Sequence, residues 1–215
     1  MATQINIAVR GLFPTPVAAA ELPDAAARNA ELKQIILNYR RISPSVQASN
    51  DGGWHSDRNL LSWGGARVEE IVEAAKLMAN RMMVDRGGKP VAPNWKPIAW
   101  ANVNEAGNGN ICHYHPGAVW SGTYYVDDGG AMTDPSLGGE FELLDPRGAA
   151  PSMYAPHLAF AGDGGRAVGI TESIRPKPGL IILFPAWMFH QVRPYRGTSE
   201  RISIAFNLSL GQPVD

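Results

Sequence analysis

The sequence predicts a mainly β protein in which a layer of helices precedes a sheet sandwich or barrel. Three observations carry that expectation. Glycine (23 residues) and proline (17) are plentiful in a chain of 215, which suits a turn-rich β protein better than a helical bundle. Two stretches with helical spacing lie before Pro93. Beyond Pro93 the chain breaks into short apolar runs separated by turns, the pattern of successive strands. The length suits one domain with a full hydrophobic core. That domain spans 1–215, with a mostly helical layer over 1–92 and the sheets over 93–215. No linker separates the two parts.

The elements follow in order. Ile5 to Val17 reads as an extended lead-in that Pro14 and Pro16 end. "LPDAAARNAELKQIILNYRRIS" reads as a helix, because Pro23 and Asp24 suit its first turn and Leu32, Ile35, Ile36 and Tyr39 recur at helical spacing. "SNDGGWHSDRNLL" is a loop by its turn residues. "ARVEEIVEAAKLMANRMMVDR" is a second amphipathic helix, with Val68, Ile71, Val72 and Ala75 on one face and Gly87–Gly88 as its stop. "PIAWANVN", "WSGTYYV", "GEFELLD", "GLIILFP", "HQVRPY" and "RISIAFNLSL" are strands. Between Gly148 and Pro178 lies a long, Gly/Pro-rich connection. A connection of that length inside a domain is usually functional, and it is expected to cover the mouth of a site.

Composition excludes several classes. Charged residues make up 18% and the formal net charge is -1, which argues against a general nucleic-acid binder or an anionic-membrane binder. The single cysteine, Cys112, excludes an internal disulfide and a cysteine-cluster zinc site. It fits a reducing compartment. The first twenty residues lack a basic region followed by a long apolar core. No run approaches the ~18 apolar residues of a membrane span. A cytoplasmic protein is the expectation.

The five histidines are the most informative residues. In "ICHYHPGAVWSGTYYV", His113 and His115 flank one tyrosine. On one strand they would share a face, roughly 6–7 Å apart, close enough for both imidazoles to bind one metal ion. A lone His-x-His is about as often an ordinary hydrogen-bonded pair, so a third donor is needed. His190 is the best candidate, since it follows the strongly apolar "GLIILFPAWMF" and opens another strand. A histidine in that setting is either buried and satisfied or a ligand. His55 lies in a Gly-rich loop and His157 in the long connection, and neither has neighbours that suggest ligation.

The last strand alternates. Ile202, Ile204, Phe206 and Leu208 fall on one face, and Arg201, Ser203, Ala205 and Asn207 on the other. The polar face belongs either to an ordinary half-exposed strand or to a polar cavity. Arg201 and Ser203 would offer a bidentate fork and a hydroxyl, which suits one end of a dicarboxylate. Arg201 comes 201 − 190 = 11 residues after His190, and a hairpin there would bring both to one cavity.

These pieces resemble the 2-oxoglutarate/Fe(II)-dependent oxygenase superfamily, whose pattern is His-x-Asp/Glu, a distal His, and an Arg-x-Ser pair about ten residues later. The corresponding segments are "HYH", "FPAWMFH" and "RIS". More narrowly, the chain resembles a bacterial and phage branch carrying "LFPTP", "GGWHS", the "HxHPGAxxSGxYYV" stretch, "DPR", "PGxxxxFPxWxxHxVxPY" and "RISIAFNL" in order. The similarity spans Leu12 to Leu210. It implies a double-stranded β-helix, a jelly-roll barrel with helices packed outside and Fe(II) in its mouth. It also implies that 2-oxoglutarate and O₂ are converted to succinate, CO₂ and an oxidant able to abstract hydrogen from a C–H bond. Residue by residue, His113 matches the first iron ligand and His190 the distal one. Arg201 and Ser203 match the pair that holds the far carboxylate of 2-oxoglutarate, and Tyr125 matches a tyrosine that hydrogen-bonds it.

One position departs from the pattern. His115 stands where the superfamily usually has Asp or Glu. The resulting metal set is His113, His115 and His190, three neutral donors that leave Fe(II) its full charge for dianionic 2-oxoglutarate to balance. Glu140, Glu142 and Asp145 are alternative sources of a carboxylate. Three competing readings remain: a three-histidine iron dioxygenase that needs no 2-oxoglutarate, a zinc hydrolase, and a metal-binding jelly roll without turnover. Arg201 and Ser203 favour 2-oxoglutarate over all three. The expected partners are a small-molecule or peptide substrate and, for any oligomer, a second copy in a homodimer. No nucleic acid and no membrane are expected. Trp120, Trp187 and the long connection are candidates for lining the mouth, although tryptophan in such strands is more often core.

Overall fold

The computed structural model describes residues 12–148, 155, 157–165, 167–169 and 171–211. Among these, the strands are β1 (Ala18–Glu21), β2 (Asn50–Asp51), β3 (Trp54–His55), β4 (Trp95–Asn104), β5 (Gly109–His113), β6 (Trp120–Asp127) and β7 (Phe141–Leu143), then β8 (Phe160–Ala161), β9 (Ala167–Val168), β10 (Glu172–Ile174), β11 (Leu180–Pro185), β12 (His190–Val192) and β13 (Arg201–Leu210). Helices α1 (Ala25–Arg40), α2 (Leu60–Trp63) and α3 (Ala66–Arg81) all precede β4. The strands form a six-stranded sheet in the order β1-β11-β6-β13-β4-β3 and a five-stranded sheet in the order β10-β7-β12-β5-β2. Every pairing within them is antiparallel. Among the described residues, β8 and β9 pair only with each other.

β13 shows why the layers stack as they do. It runs antiparallel to β4 from Arg201↔Asn104 to Leu210↔Trp95, and it pairs with β6 on its other side. A strand's side chains alternate between faces. Ile202, Ile204, Phe206 and Leu208 enter the main core with Leu32 and Ile36 of α1 and Val68, Ile71 and Ala75 of α3. Arg201, Ser203 and Ala205 face a pocket that residues of the second sheet also line. The six-stranded sheet is therefore covered twice, by helices on one face and by the five-stranded sheet on the other. Each fully buried Ile, Leu or Phe contributes about 1.5–3 kcal/mol, so the helix-side core holds the scaffold that carries the pocket. Gly122 of β6 marks a close approach, because a Cβ there would collide with the Ile182 carbonyl and the Phe206 ring.

Between the sheets a smaller core gathers Tyr125, Phe141, Leu143, Ile182, Phe184 and Met188. The helices are tied down by polar contacts as well. Arg28 Nε donates to Glu70 at 3.0 Å, joining α1 to α3, and the Tyr124 hydroxyl donates to Asn29 at 2.6 Å.

Several elements differ from the sequence reading. The lead-in from Ile5 lies outside the described residues up to 11, and the first described strand, Ala18–Glu21, comes only after Val17. The second helix stops at Arg81 rather than at Asp85–Arg86. There the Asp85 carboxylate accepts from the backbone N–H of Gly87 and Lys89, which closes a turn instead of another helical turn. The predicted loop around Gly52 contains the short strands β2 and β3, which attach to β5 and β4. Of the long connection, the described part holds the β8–β9 pair and β10, which docks on β7; residues 149–154, 156, 166 and 170 lie outside the described set. No described residue of the connection lines the pocket. Trp120 and Trp187 do not line it either. Trp120 is buried, with Nε1 donating to Met83 Sδ at 3.3 Å, and Trp187 is exposed. No described helix is long and apolar enough to cross a membrane.

Candidate metal centre

The five-stranded sheet brings two histidines together by register. β12 runs beside β5 with His190 directly opposite His113, and their ring centroids lie 4.3 Å apart. His115 is not on the strand with His113, because β5 ends at His113. Pro116 has no N–H to extend the ladder, and Gly117 turns the chain at φ 86°. The His115 backbone is fixed instead by its N–H donating to the Ala186 carbonyl at 2.9 Å. Its ring then sits 5.0 Å from those of both His113 and His190.

Ligand nitrogens from all three rings lie within 4.8 Å of one another, and the three histidines together could hold a metal ion. Two of the tautomers follow from the backbone. The Ile111 carbonyl lies 2.7 Å from His113 Nδ1, and the Met188 carbonyl lies 2.8 Å from His190 Nδ1. A carbonyl only accepts, so each Nδ1 carries the proton and each Nε2 keeps its lone pair, the arrangement that orients metal-binding imidazoles. His115 Nε2 faces His190 Nε2 at 3.2 Å. Two lone pairs that close repel, so either a proton on His115 or a cation stands between them.

Burial keeps these rings neutral. It pushes His190 down to about 3 and His115 down to about 4, helped by the neighbouring His113, and it lowers His113 as well. Neutral imidazole is the ligating form. Among the described residues, no Asp or Glu lines the pocket. Glu142 accepts from Gln191 at 2.6 Å and lies 3.7 Å from Arg193, and Asp145 is paired with Arg147. Neither alternative carboxylate therefore turns towards the histidines, and Glu140 is not among the lining residues.

The other wall of the same pocket comes from the six-stranded sheet. Arg201, Tyr125 and Ser203 all line it, with exposures of 1%, 0% and 5%. Arg201 reaches it by a route the sequence reading did not give. β12 and β13 belong to different sheets, so the segment between them crosses from one wall to the other and is not a hairpin. Tyr195 anchors that crossing. It is fully buried, its hydroxyl donates to the Gly129 carbonyl at 2.7 Å, and its carbonyl accepts from the N–H of Gly107 at 2.6 Å.

This wall has polar atoms without partners. Arg201 Nε, the Tyr125 hydroxyl and Asn102 Oδ1 are buried and make no hydrogen bond. The Arg201 guanidinium carbon lies 5.4 Å from the centre of the Tyr125 ring. Burial opposes the charge of Arg201 and pushes the Tyr125 hydroxyl up to about 12. A guanidinium does not deprotonate in proteins. A buried charge and orphaned donors are costly unless matched, so this end fits an anion.

Both ends thus fit the groups that the residue pattern implies. Imidazole suits iron(II), and the Arg201 end suits a carboxylate. Sequence reasoning missed Asn102 and Trp100, which also line the pocket. The alternation of "PIAWANVN" puts Trp100 and Asn102 on one face, but only its pairing with β13 turns that face inward. His55 is buried and stacks at 5.7 Å on Trp100, with Ser56 O 2.6 Å from its Nδ1. It is outside the metal cluster, as is exposed His157.

Comparison with known proteins adds three findings. Residues 98–207, just over half of the chain, match the model of the family described as "Putative 2OG-Fe(II) oxygenase". No curated protein matches. Among solved structures, the chain is similar to a prolyl hydroxylase from Trichoplax adhaerens in complex with a hypoxia inducible factor oxygen degradation domain peptide fragment, at TM-score 0.62 and 14% identity, covering 90% of this chain and 83% of that one. It is similar to a Pseudomonas putida prolyl-4-hydroxylase at TM-score 0.60 and 12% identity, covering 92% and 94%. HygX from Streptomyces hygroscopicus, with nickel and 2-oxoglutarate bound, aligns at TM-score 0.59 and 11% identity over 92% and 84%. At these identities the likeness shows the fold, a double-stranded β-helix.

Proposed function

This chain belongs to the 2OG-Fe(II) oxygenase family, oxidoreductases that need Fe(II) and 2-oxoglutarate, and from that premise we propose that it couples decarboxylation of 2-oxoglutarate to hydroxylation of a substrate. In the balanced reaction, a substrate C–H, O₂ and 2-oxoglutarate give the C–OH, succinate and CO₂. His113, His115 and His190 would hold Fe(II), which when bound supplies the electrons that activate O₂. The chain's own residues prepare that chemistry. The Ile111 and Met188 carbonyls aim two Nε2 lone pairs, and burial strips competing protons from all three rings. Arg201 would pair with the far carboxylate of 2-oxoglutarate, with the Ser203 and Tyr125 hydroxyls beside it. The observation that carries this reading is the buried, unpartnered Arg201 Nε and Tyr125 hydroxyl across the pocket from the histidines.

A second reading has one observation in its favour. Among the described residues no carboxylate lines the pocket, and a three-histidine iron dioxygenase independent of 2-oxoglutarate would need none. Anaerobic calorimetry decides between the two. Mn(II)-loaded protein should bind 2-oxoglutarate, and O₂ with Fe(II) should yield succinate. No binding up to about millimolar, some 4 kcal/mol, gives the second reading the lead.

A further inference from the structure

One cation beside the pocket has no part in holding iron or 2-oxoglutarate. Three neutral imidazoles leave Fe(II) at +2, and dianionic 2-oxoglutarate cancels it. Asp128 and Glu140 lie near enough to Arg201 to favour its charge against the burial that opposes it. The other cation sits at the rim. Arg58, exposed just before α2, holds its guanidinium carbon 5.9 Å from the centre of the Trp100 ring. The Trp100 ring lies 5.8 Å from that of His115 and itself lines the pocket.

Arg58 has no acidic partner among the described residues. The carboxylate beside it in sequence is engaged elsewhere. Asp57 accepts from the Tyr39 hydroxyl at 3.0 Å, from the Asn59 N–H at 3.1 Å and from Trp63 Nε1 at 3.3 Å. A guanidinium resting on an aromatic face keeps its forked N–H edge available for an oxyanion. We propose that the substrate carries an oxyanion, a carboxylate or a phosphate, and that Arg58 over Trp100 receives it at the histidine end of the pocket. This rests on the oxygenase reading above. Arg58 would act as a specificity-determining residue, holding the acid group while the remainder of the substrate approaches the metal.

The test uses protein saturated with Mn(II) and 2-oxoglutarate, so that the Arg201 end is already filled. Benzoate and its neutral twin benzamide are titrated by calorimetry, then phenyl phosphate and phenol. At least one acid should bind roughly tenfold more tightly than its neutral twin, the scale of one charge-assisted contact at a partly exposed site. Arg58→Gln should erase that preference, and Arg58→Lys should keep part of it. The acid that shows the larger preference identifies the oxyanion. Equal binding of acids and neutral twins, or a preference that survives in Arg58→Gln, overturns the proposal. Thermal unfolding checks that the variants are folded. A parent that takes up no 2-oxoglutarate in the loading step fails the oxygenase reading itself, which separates that failure from this one.

Discussion

His190 at one end of the pocket and Arg201 at the other are both buried, with exposures of 4% and 1%. The imidazole answers burial by giving up its charge. Its pKa falls to about 3, and its remaining proton is spoken for by the Met188 carbonyl at 2.8 Å. The guanidinium has no such escape, and its Nε is left without a partner. A desolvated group that can neutralise becomes a neutral donor, suited to a cation. A desolvated group that cannot neutralise demands an anion. One pocket thus holds two opposite appetites on facing walls, and a chelate of iron and a dicarboxylate would satisfy both.

The largest effect should come from emptying the histidine end. His190→Ala removes the buried ring that faces both other histidines, and bound Fe(II) after desalting should fall to about a tenth of the parent's level or less. His113→Ala should do the same. His115→Ala sharpens the comparison, because His115 lies off the strand and lacks the carbonyl contact to Nδ1 that fixes the other two. Any of the three variants that retains the parent's metal content removes that residue from the ligand set.

The arginine end comes next. Arg201→Ala should weaken 2-oxoglutarate binding by roughly ten- to a hundredfold, the value of a charge-assisted hydrogen bond. Metal content should hold. Arg201→Lys keeps the charge without the fork and should recover only part. Equal affinity in Arg201→Ala and parent would leave Arg201 a structural strand residue.

Acid should separate the ends further. His190 binds protons below about pH 6.5 when unfolded, but only near 3 when folded. Between those values the unfolded state holds more protons, so metal-free protein loses stability as pH falls. The slope from this residue approaches about 1.4 kcal/mol per pH unit below 6.5. Arg201 stays charged throughout and adds nothing to it. Urea unfolding at about pH 7 and about pH 5 should show the loss, and His190→Gln should reduce the slope by its own share, leaving the part that comes from His115, His113 and His55, which burial also lowers. An unchanged slope in that variant would mean that His190 is not the group responsible.

The smallest effects belong to the hydroxyls. Tyr125→Phe and Ser203→Ala should each weaken 2-oxoglutarate binding by about threefold to tenfold, the range of a single neutral hydrogen bond to a charged partner already held by Arg201. A larger loss from Tyr125→Phe than from Arg201→Ala would reverse the assignment of which group anchors the anion.

Much of the pocket was legible because strand alternation is local. "RISIAFNL" sorts Arg201 and Ser203 from Ile202 and Ile204 by period two alone, and the structure keeps that sorting, with the isoleucines in the main core and the polar pair in the pocket. The helical spacing of Leu32 and Ile36, and of Val68, Ile71 and Ala75, likewise marked residues that are fully buried. The motif residues were therefore visible as types and as faces.

What the sequence could not settle was which wall each face would join. That depends on pairings between distant strands, β12 with β5 and β13 with β4 and β6, and no local periodicity encodes them. The expected hairpin after His190 became a crossing between sheets, and His115 left its strand because Pro116 and Gly117 ended the ladder there. Asn102, Trp100 and Arg58 entered the picture only once β4 had taken its place beside β13. Local backbone and side-chain chemistry determined the donors, the fork and the apolar faces. Long-range hydrogen bonding and the burial of both faces of one sheet decided that they meet.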